Sequence, residues 1–415
     1  RIGQDAVVDV IVPVLMGFIC DDAGASQGGT ASNLVDKCIE GLGEASRRVE
    51  WPTLRGMLGR FLRILKGKGQ QSKSIMRAVS STMRFFEEHE EEGQEVEAMQ
   101  VDGETAGADA RQFSEPLGYV YRVLLPYLSA LFYQDRDPPS YLVAVLAQVL
   151  RVMPENLTRI ELPQLIQRMS SRLKNDLGQS RINTREAICA LLDVTGPAYL
   201  SSVLNSIDSS LMNRGVQGYI KCYSVYYVLK NVEGKLRRGE VDEHLDAFFT
   251  VFRVDLFGDV ARDRQERKDS EKLFAKTFKE GQRCFSLSAF EVIAGLVDAE
   301  ESLQHLLDFV EEGFTVEKRR VRMCERLLEC VARGILSSSK VDHQFLLVLF
   351  YGIMDDLNAA ILEREAKLEA FKDGLGISTR ATLAENEGDD QEQRDFLVLE
   401  VKAGFALTVL WKLIK

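Results

Sequence analysis

The chain of 415 residues is too long for one ordinary compact core and suits an extended stack of repeats. Hydrophobic residues make up 45%, enough to fold, and 9 prolines fit a mostly helical protein; against a formal net charge of −11, a locally basic stretch stands out. Seven cysteines (Cys20, Cys38, Cys189, Cys222, Cys284, Cys324 and Cys330) are odd in number and scattered, which argues against a disulfide framework and for a reducing compartment.

Residues 1–86 read as N-terminal helical repeats. Between Arg47 and Arg77, nine basic residues (Arg47, Arg48, Arg55, Arg60, Arg63, Lys66, Lys68, Lys73 and Arg77) face a single acid, Glu50. Leu54, Met57, Leu58, Phe61, Leu62 and Leu65 form an apolar stripe, with Arg55, Arg60, Arg63 and Lys66 to its flanks and far side. The pattern predicts a basic helix over 47–77 that docks its apolar face and presents guanidinium groups outward. Three readings fit it: a solvated face or partner for acidic segments, an RNA contact, or a membrane-surface or calmodulin-type helix. For RNA, the candidate contacts are Arg47, Arg48, Arg55, Arg60, Arg63, Lys66 and Lys68.

Residues 87–110 are acidic and poor in large apolar side chains, and are expected to be a disordered insertion. Helical spacing fills 111–372: Leu200, Val203, Leu204, Ile207 and Leu211 repeat at i, i+3, i+4, i+7 and i+11, as do Leu245, Phe248, Phe249, Phe252 and Leu256. Residues 373–395 predict a second acidic loop, and 396–415 a terminal helix. No uncharged apolar run reaches the ~18 residues of a membrane span, so Phe345–Met354 and Ala403–Trp411 read as buried helix and no membrane contact is expected. No signal peptide is visible, and the start at Arg1 without methionine leads us to expect a piece of a longer protein.

Sites for chemistry are not legible. Gly24-Ala25-Ser26-Gln27-Gly28 matches a nucleophile elbow formally but lacks the strand-to-helix context. Gly67-Lys68-Gly69 lacks the upstream glycine of a phosphate loop, where Leu62 stands. His89, His244, His305 and His343 lie far apart, and Cys324 and Cys330 give no zinc spacing. No cofactor, metal or catalytic residue is expected.

Amphipathic helices joined by short turns bury their stripes by stacking in pairs of roughly 40 residues, which predicts an all-α, HEAT/armadillo-like α-solenoid of antiparallel helix pairs, with an irregular all-α domain as the alternative. An ordered set of blocks supports this. Arg181-x-x-x-Arg185-Glu186 precedes Gly196-Pro197-Ala198-Tyr199-Leu200. Then come Arg214-Gly215-Val216-Gln217 with Tyr223-Ser224, next Asp255-Leu256-Phe257-Gly258-Asp259-Val260, and finally Phe290–Ala294. Together they resemble the family of the twentieth U-three-snoRNA-associated protein, also called down-regulated in metastasis, over roughly residues 115–300. Two family histidines are replaced by Tyr219 and Tyr226, and the family's charged connector corresponds to Ala261–Arg283. The resemblance implies a non-enzymatic scaffold of the nucleolar small-subunit processome. That scaffold would support small-subunit pre-rRNA processing through processome proteins and pre-rRNA or snoRNA. Arg181, Arg185, Gly196, Pro197, Arg214, Gly215, Gln217, Asp255, Phe257 and Gly258 would then hold repeat turns and inter-repeat packing. A HEAT-type adaptor of transport or signalling is the alternative.

Overall fold

The computed structural model describes residues 6–21, 29–67, 72–88, 114–135, 137–266, 278–298, 300–315, 317–337, 343–374 and 387–414. Every regular element among them is helical. The chain divides into two compact units, Arg1–Val203 and Leu204–Lys415, each built of stacked helix pairs in the manner of an all-α solenoid.

The first unit contains α1 (Val12–Asp21), α2 (Gly29–Ser46), α3 (Trp51–Gly67), α4 (Ser72–Thr82), α5 (Leu125–Gln134), α6 (Ser140–Arg151), α7 (Glu155–Arg172) and α8 (Gly178–Thr195). Helical turns Glu115–Tyr119 and Val120–Leu124 lead into α5. Helices α2, α4, α6 and α8 each pack on the next and form one layer. The other layer is α3, α5 and α7, with α3 on α4, α5 on α6, and α7 on α6 and α8. Helix α6 is sandwiched, and Leu142, Val143, Val145, Leu146, Val149 and Leu150 are accordingly buried around most of its circumference. Proline sets the helix starts. Pro139 (φ −65°, ψ 148°) and Pro154 (φ −53°, ψ 145°) hold extended backbone immediately before α6 and α7. Helix α8 stops at Gly196, whose φ of 82° and ψ of 179° lie in a region open essentially to glycine alone. Pro197 then opens a 3-10 turn, where its missing N–H costs nothing.

The division between units falls inside α9 (Leu200–Ser210). The second unit continues with α10 (Gly215–Val232), α11 (Leu245–Leu256), α12 (Asp259–Glu266), α13 (Phe285–Leu296), α14 (Glu300–Glu312), α15 (Lys318–Ser337), α16 (His343–Gly374) and α17 (Glu387–Ile414). Here α10, α13, α15 and α17 pack in succession, while α11 meets α14 and α16 meets α17. Phe249, Phe290 and Phe309 stack at the centre, with ring centroids 4.4 Å (Phe249–Phe309) and 5.3 Å (Phe290–Phe309) apart. Helices α13 and α15 touch backbone to backbone. A Cβ on Gly334 would lie 2.2 Å from the Glu291 carbonyl oxygen, and one on Gly295 would lie 3.3 Å from that of Gly334. Both apolar stripes read from the sequence, Leu200–Leu211 and Leu245–Leu256, face the interior.

Several boundaries differ from the sequence reading. The basic stretch 47–77 is not one helix. Arg47 and Arg48 sit in the turn after α2, and Pro52, lacking an N–H, fits only the first turn of a new helix, α3. Lys73 and Arg77 belong to α4, and Lys68 lies outside the described residues. Of the acidic loop 373–395, residues 373–374 close α16 and 387–395 open α17, so the terminal helix starts before residue 396. The insertion 87–110 lies outside the described residues except Glu87 and Glu88, which end a short helical turn. The apolar part of α16 is longer than expected. Gln344–Lys367 is long and apolar enough to cross a membrane by length and composition, and Leu347, Val348 and Tyr351 are exposed rather than buried. Leu346 and Phe350 do face inward, Phe350 meeting Phe405 of α17 at 5.7 Å.

Candidate functional site

The expected basic face exists on α3. Its stripe residues Leu54, Met57, Leu58, Phe61 and Leu62 are buried, while Arg55, Arg60, Arg63 and Lys66 are exposed. Two of these cations dock on the next repeat. Arg55 pairs with Glu115 at 3.2 Å and lies 5.7 Å from the Tyr119 ring centre, and Lys66 Nζ lies 5.6 Å from that of Tyr127. Burial raises the Tyr119 hydroxyl's pKa, and Arg55 opposes the rise. Arg63 Nε donates to the Gly59 carbonyl at 3.3 Å, and no acid pairs with Arg60, Arg63 or Lys66 among the described residues. Arg47 pairs with Glu44 at 3.2 Å, and Arg48 is exposed. Pairs as exposed as these contribute about 0–1 kcal/mol each, so a polyanion can compete for the cations.

The motif residues fall at turns and helix crossings. Buried Arg181, in the first turn of α8, donates through Nη1 to the carbonyls of Asn175 (2.8 Å) and Asp176 (3.0 Å) and so ties down the turn from α7. Arg185 is buried one turn later. Arg214 precedes α10 in extended backbone, Gly215 follows at φ 58°, and Gln217 Oε1 accepts the Met212 N–H at 3.1 Å across the α9–α10 turn. Gly258 follows α11 where a Cβ would lie 2.9 Å from the Val254 Cα. Phe257 is half-buried, 5.9 Å from Phe309 and capped by Arg320 at 5.3 Å; a Cβ on Gly313 would strike its ring at 2.2 Å.

Asp255 is the centre of a buried polar network. Its carboxylate pairs with Arg264 and accepts from Ser286 Oγ (2.5 Å), Ser286 N (3.3 Å) and Cys284 Sγ (3.3 Å). Arg264 also lies 5.4 Å from the Tyr219 ring centre. Burial works against the Arg264 charge, but the Asp255 carboxylate more than offsets it and holds the guanidinium protonated. Burial and the same carboxylate push the Cys222 and Cys284 thiols up, and burial pushes Cys324 up to about 12. These thiols stay protonated at neutral pH and are poor nucleophiles. Within the connector after residue 260, Arg264 turns inward while Arg262 is exposed; residues 267–277 lie outside the described residues.

Lys221 escaped the sequence reading. It is 1% exposed, and its Nζ donates to Asp208 Oδ1 (2.7 Å), the Asp208 carbonyl (2.8 Å) and Asn213 Oδ1 (2.5 Å). All three ammonium protons are matched, and the end of α9 is fastened to α10. A lysine inside the run Gly218-Tyr219-Ile220-Lys221-Cys222 is the one available signal.

The family described as U3 small nucleolar RNA-associated protein 20 domain matches residues 139–354, just over half of the chain. The chain is also similar to two curated proteins named U3 small nucleolar RNA-associated protein 20. The one from Schizosaccharomyces pombe is 23% identical over 367 residues, covering 84% of this chain and 14% of the relative. The one from Saccharomyces cerevisiae is 21% identical over 310 residues, covering 72% of this chain and 12% of the relative. The chain thus spans no more than 14% of the length of these relatives.

Proposed function

Because the chain belongs to the U3 small nucleolar RNA-associated protein 20 family, we propose that it is a non-enzymatic scaffold segment of the small-subunit processome. It supports small-subunit pre-rRNA processing and ribosome biogenesis in the nucleolus, holding processome proteins and pre-rRNA or snoRNA at fixed separations. One observation carries this reading: the matched stretch 139–354 runs from the start of α6 into α16, and its motif residues fasten turns and helix crossings. Within each unit, helices fastened in this way provide fixed surfaces, which suits holding partners.

In the parent protein, depletion should leave small-subunit rRNA precursors unprocessed while the large-subunit pathway continues, and the protein should sediment with pre-ribosomal particles. A parent that runs as a small complex and stays on cytoplasmic membranes would decide for a transport adaptor. The α3 face supplies an RNA contact in this reading, with Arg47, Arg48, Arg55, Arg60, Arg63, Lys66 and Lys68 as the contacting set. Each phosphate neutralised adds about 0.7 to the slope of log affinity against log salt for single strands. Arg55→Glu, Arg60→Glu, Arg63→Glu and Lys66→Glu together should weaken binding and flatten that slope. Equal binding by wild type and this variant across a salt series would remove the α3 face from the reading.

A further inference from the structure

The sequence presents its N-terminal cations as one run, but the fold sorts them onto different layers. Arg55 and Lys66 lie on α3 and reach the segment leading into α5 and α5 itself. Lys73 and Arg77 lie on α4, in the layer of α2, α6 and α8. Two adjoining hollows cross that layer and share Arg77. One, of about 370 Å³, is lined by Ile39, Arg77, Ser80, Ser81, Arg84, Gln148 and Arg151. The other, of about 470 Å³, adds Lys73 and Tyr141 together with Asn183 and Glu186 of α8.

We propose that this trough over α2, α4, α6 and α8 binds the phosphodiester backbone of single-stranded RNA, as a site separate from the α3 face. The first hollow holds three arginines, two serines and a glutamine, and Ile39 is its one apolar side chain. A peptide ligand needs apolar pockets for its side chains, whereas phosphate oxygens need this density of donors. Two arginines are held in place. Arg77 is paired with Asp36 at 2.5 Å and Arg84 with Glu44 at 2.6 Å, each through Nη1, which leaves further N–H groups of each fork for a phosphate. Gly43 makes this geometry possible, because a Cβ there would lie 2.2 Å from Ser81 Oγ, so α2 and α4 approach closely beneath the row.

From Lys73 to Thr82 α4 advances about 14 Å, and Arg84 lies in the turn just past its end, so the cations form a row rather than a point. The second hollow contains two carboxylates, Asp137 and Glu186, and Asp137 is already engaged by the Ser180 hydroxyl. Tyr141, half-exposed at that end, offers a ring on which a base can stack. The proposal extends the RNA-associated scaffold reading but does not depend on the α3 face.

The test is fluorescence anisotropy of the full 415-residue chain with a labelled oligouridylate of about 15 nucleotides across a salt series. Lys73→Gln/Arg151→Gln removes two cations that take part in no ion pair among the described residues, so folding should be kept. It should weaken binding at least about tenfold near 50 mM salt and lower the slope by about 1.4. Arg77→Gln/Arg84→Gln should do the same, with circular dichroism reporting whether it folds. Arg60→Glu/Arg63→Glu/Lys66→Glu is the comparison. Loss with that variant alone would overturn the trough and keep the α3 face. Loss with the trough variants alone would support the trough and remove the α3 face. No oligouridylate binding by wild type would overturn both. A polyglutamate peptide that binds as tightly as RNA, and is lost in the same trough variants, would overturn the assignment to RNA.

Discussion

Asp255→Ala should be among the most damaging single substitutions in the second unit. The side chain is 1% exposed and accepts from four donors: Arg264 Nη2, Ser286 N, Ser286 Oγ and Cys284 Sγ. Removing one partner of a buried ion pair costs about 3–5 kcal/mol, mostly because the other charge is stranded. Arg264 retains 22% exposure and its bond to the Asp255 carbonyl at 3.3 Å, so the loss belongs at the lower end, about 3 kcal/mol. For a unit of this size that is a fall of about 6–12 °C in Tm. Asp255→Ala/Arg264→Leu should recover about half, because the stranded charge goes with its partner. Thermal scans followed by circular dichroism provide the readout. Trp51, observed alone after Trp411→Phe, reports the first unit, whose transition should not move. A cost below about 1 kcal/mol, or a double variant no better than the single, would refute the network as the source of stability.

Gly196→Ala should cost about 1–3 kcal/mol although the added methyl meets nothing within 4 Å, since the penalty is backbone strain; urea melts would show it. Gly313→Ala should destabilise by forcing the Phe257 ring aside, and Phe257→Leu should partly rescue it, a pattern that thermal scans of the single and double variants resolve. The buried thiols set an alkaline limit. A thiol held near 12 in the fold and near 9 when unfolded contributes stability that is intact below pH 9 and is lost as the pH rises towards 12, so Tm should fall over that window. Over the same reasoning, Cys222 and Cys324 should react with Ellman's reagent at pH 8 only after denaturant is added, and prompt labelling of the native chain would contradict their burial.

What was legible in the sequence was what is local. The stripe Leu245–Leu256 and the turn Gly196-Pro197 carry their structural meaning within a few residues, so helix, face and turn follow directly. The motif blocks point to the family, and Asp255 is one of their members. Its role was not legible, because Arg264, Cys284 and Ser286 lie 9, 29 and 31 residues further along the chain. The basic stretch failed for a related reason. Helical phase shows which cations are exposed, but which layer they face depends on where α3 ends and α4 begins. Composition also misread residues 387–395, which are helical and whose Arg394 donates to the carbonyls of Phe314 (3.1 Å) and Glu311 (3.2 Å). No local signal announces those partners.

The contact of α13 with α15 has a mechanical consequence. Side chains between most neighbouring helices act as a deformable cushion, because rotamers can shift when a load is applied. At Gly295 and Gly334 that cushion is missing, and main chain bears on main chain. Close-packed atoms with no free volume resist both compression and sliding. Tension along the second unit should therefore be taken up elsewhere, leaving α13 and α15 as a stiff clasp that moves as one body while its neighbours yield.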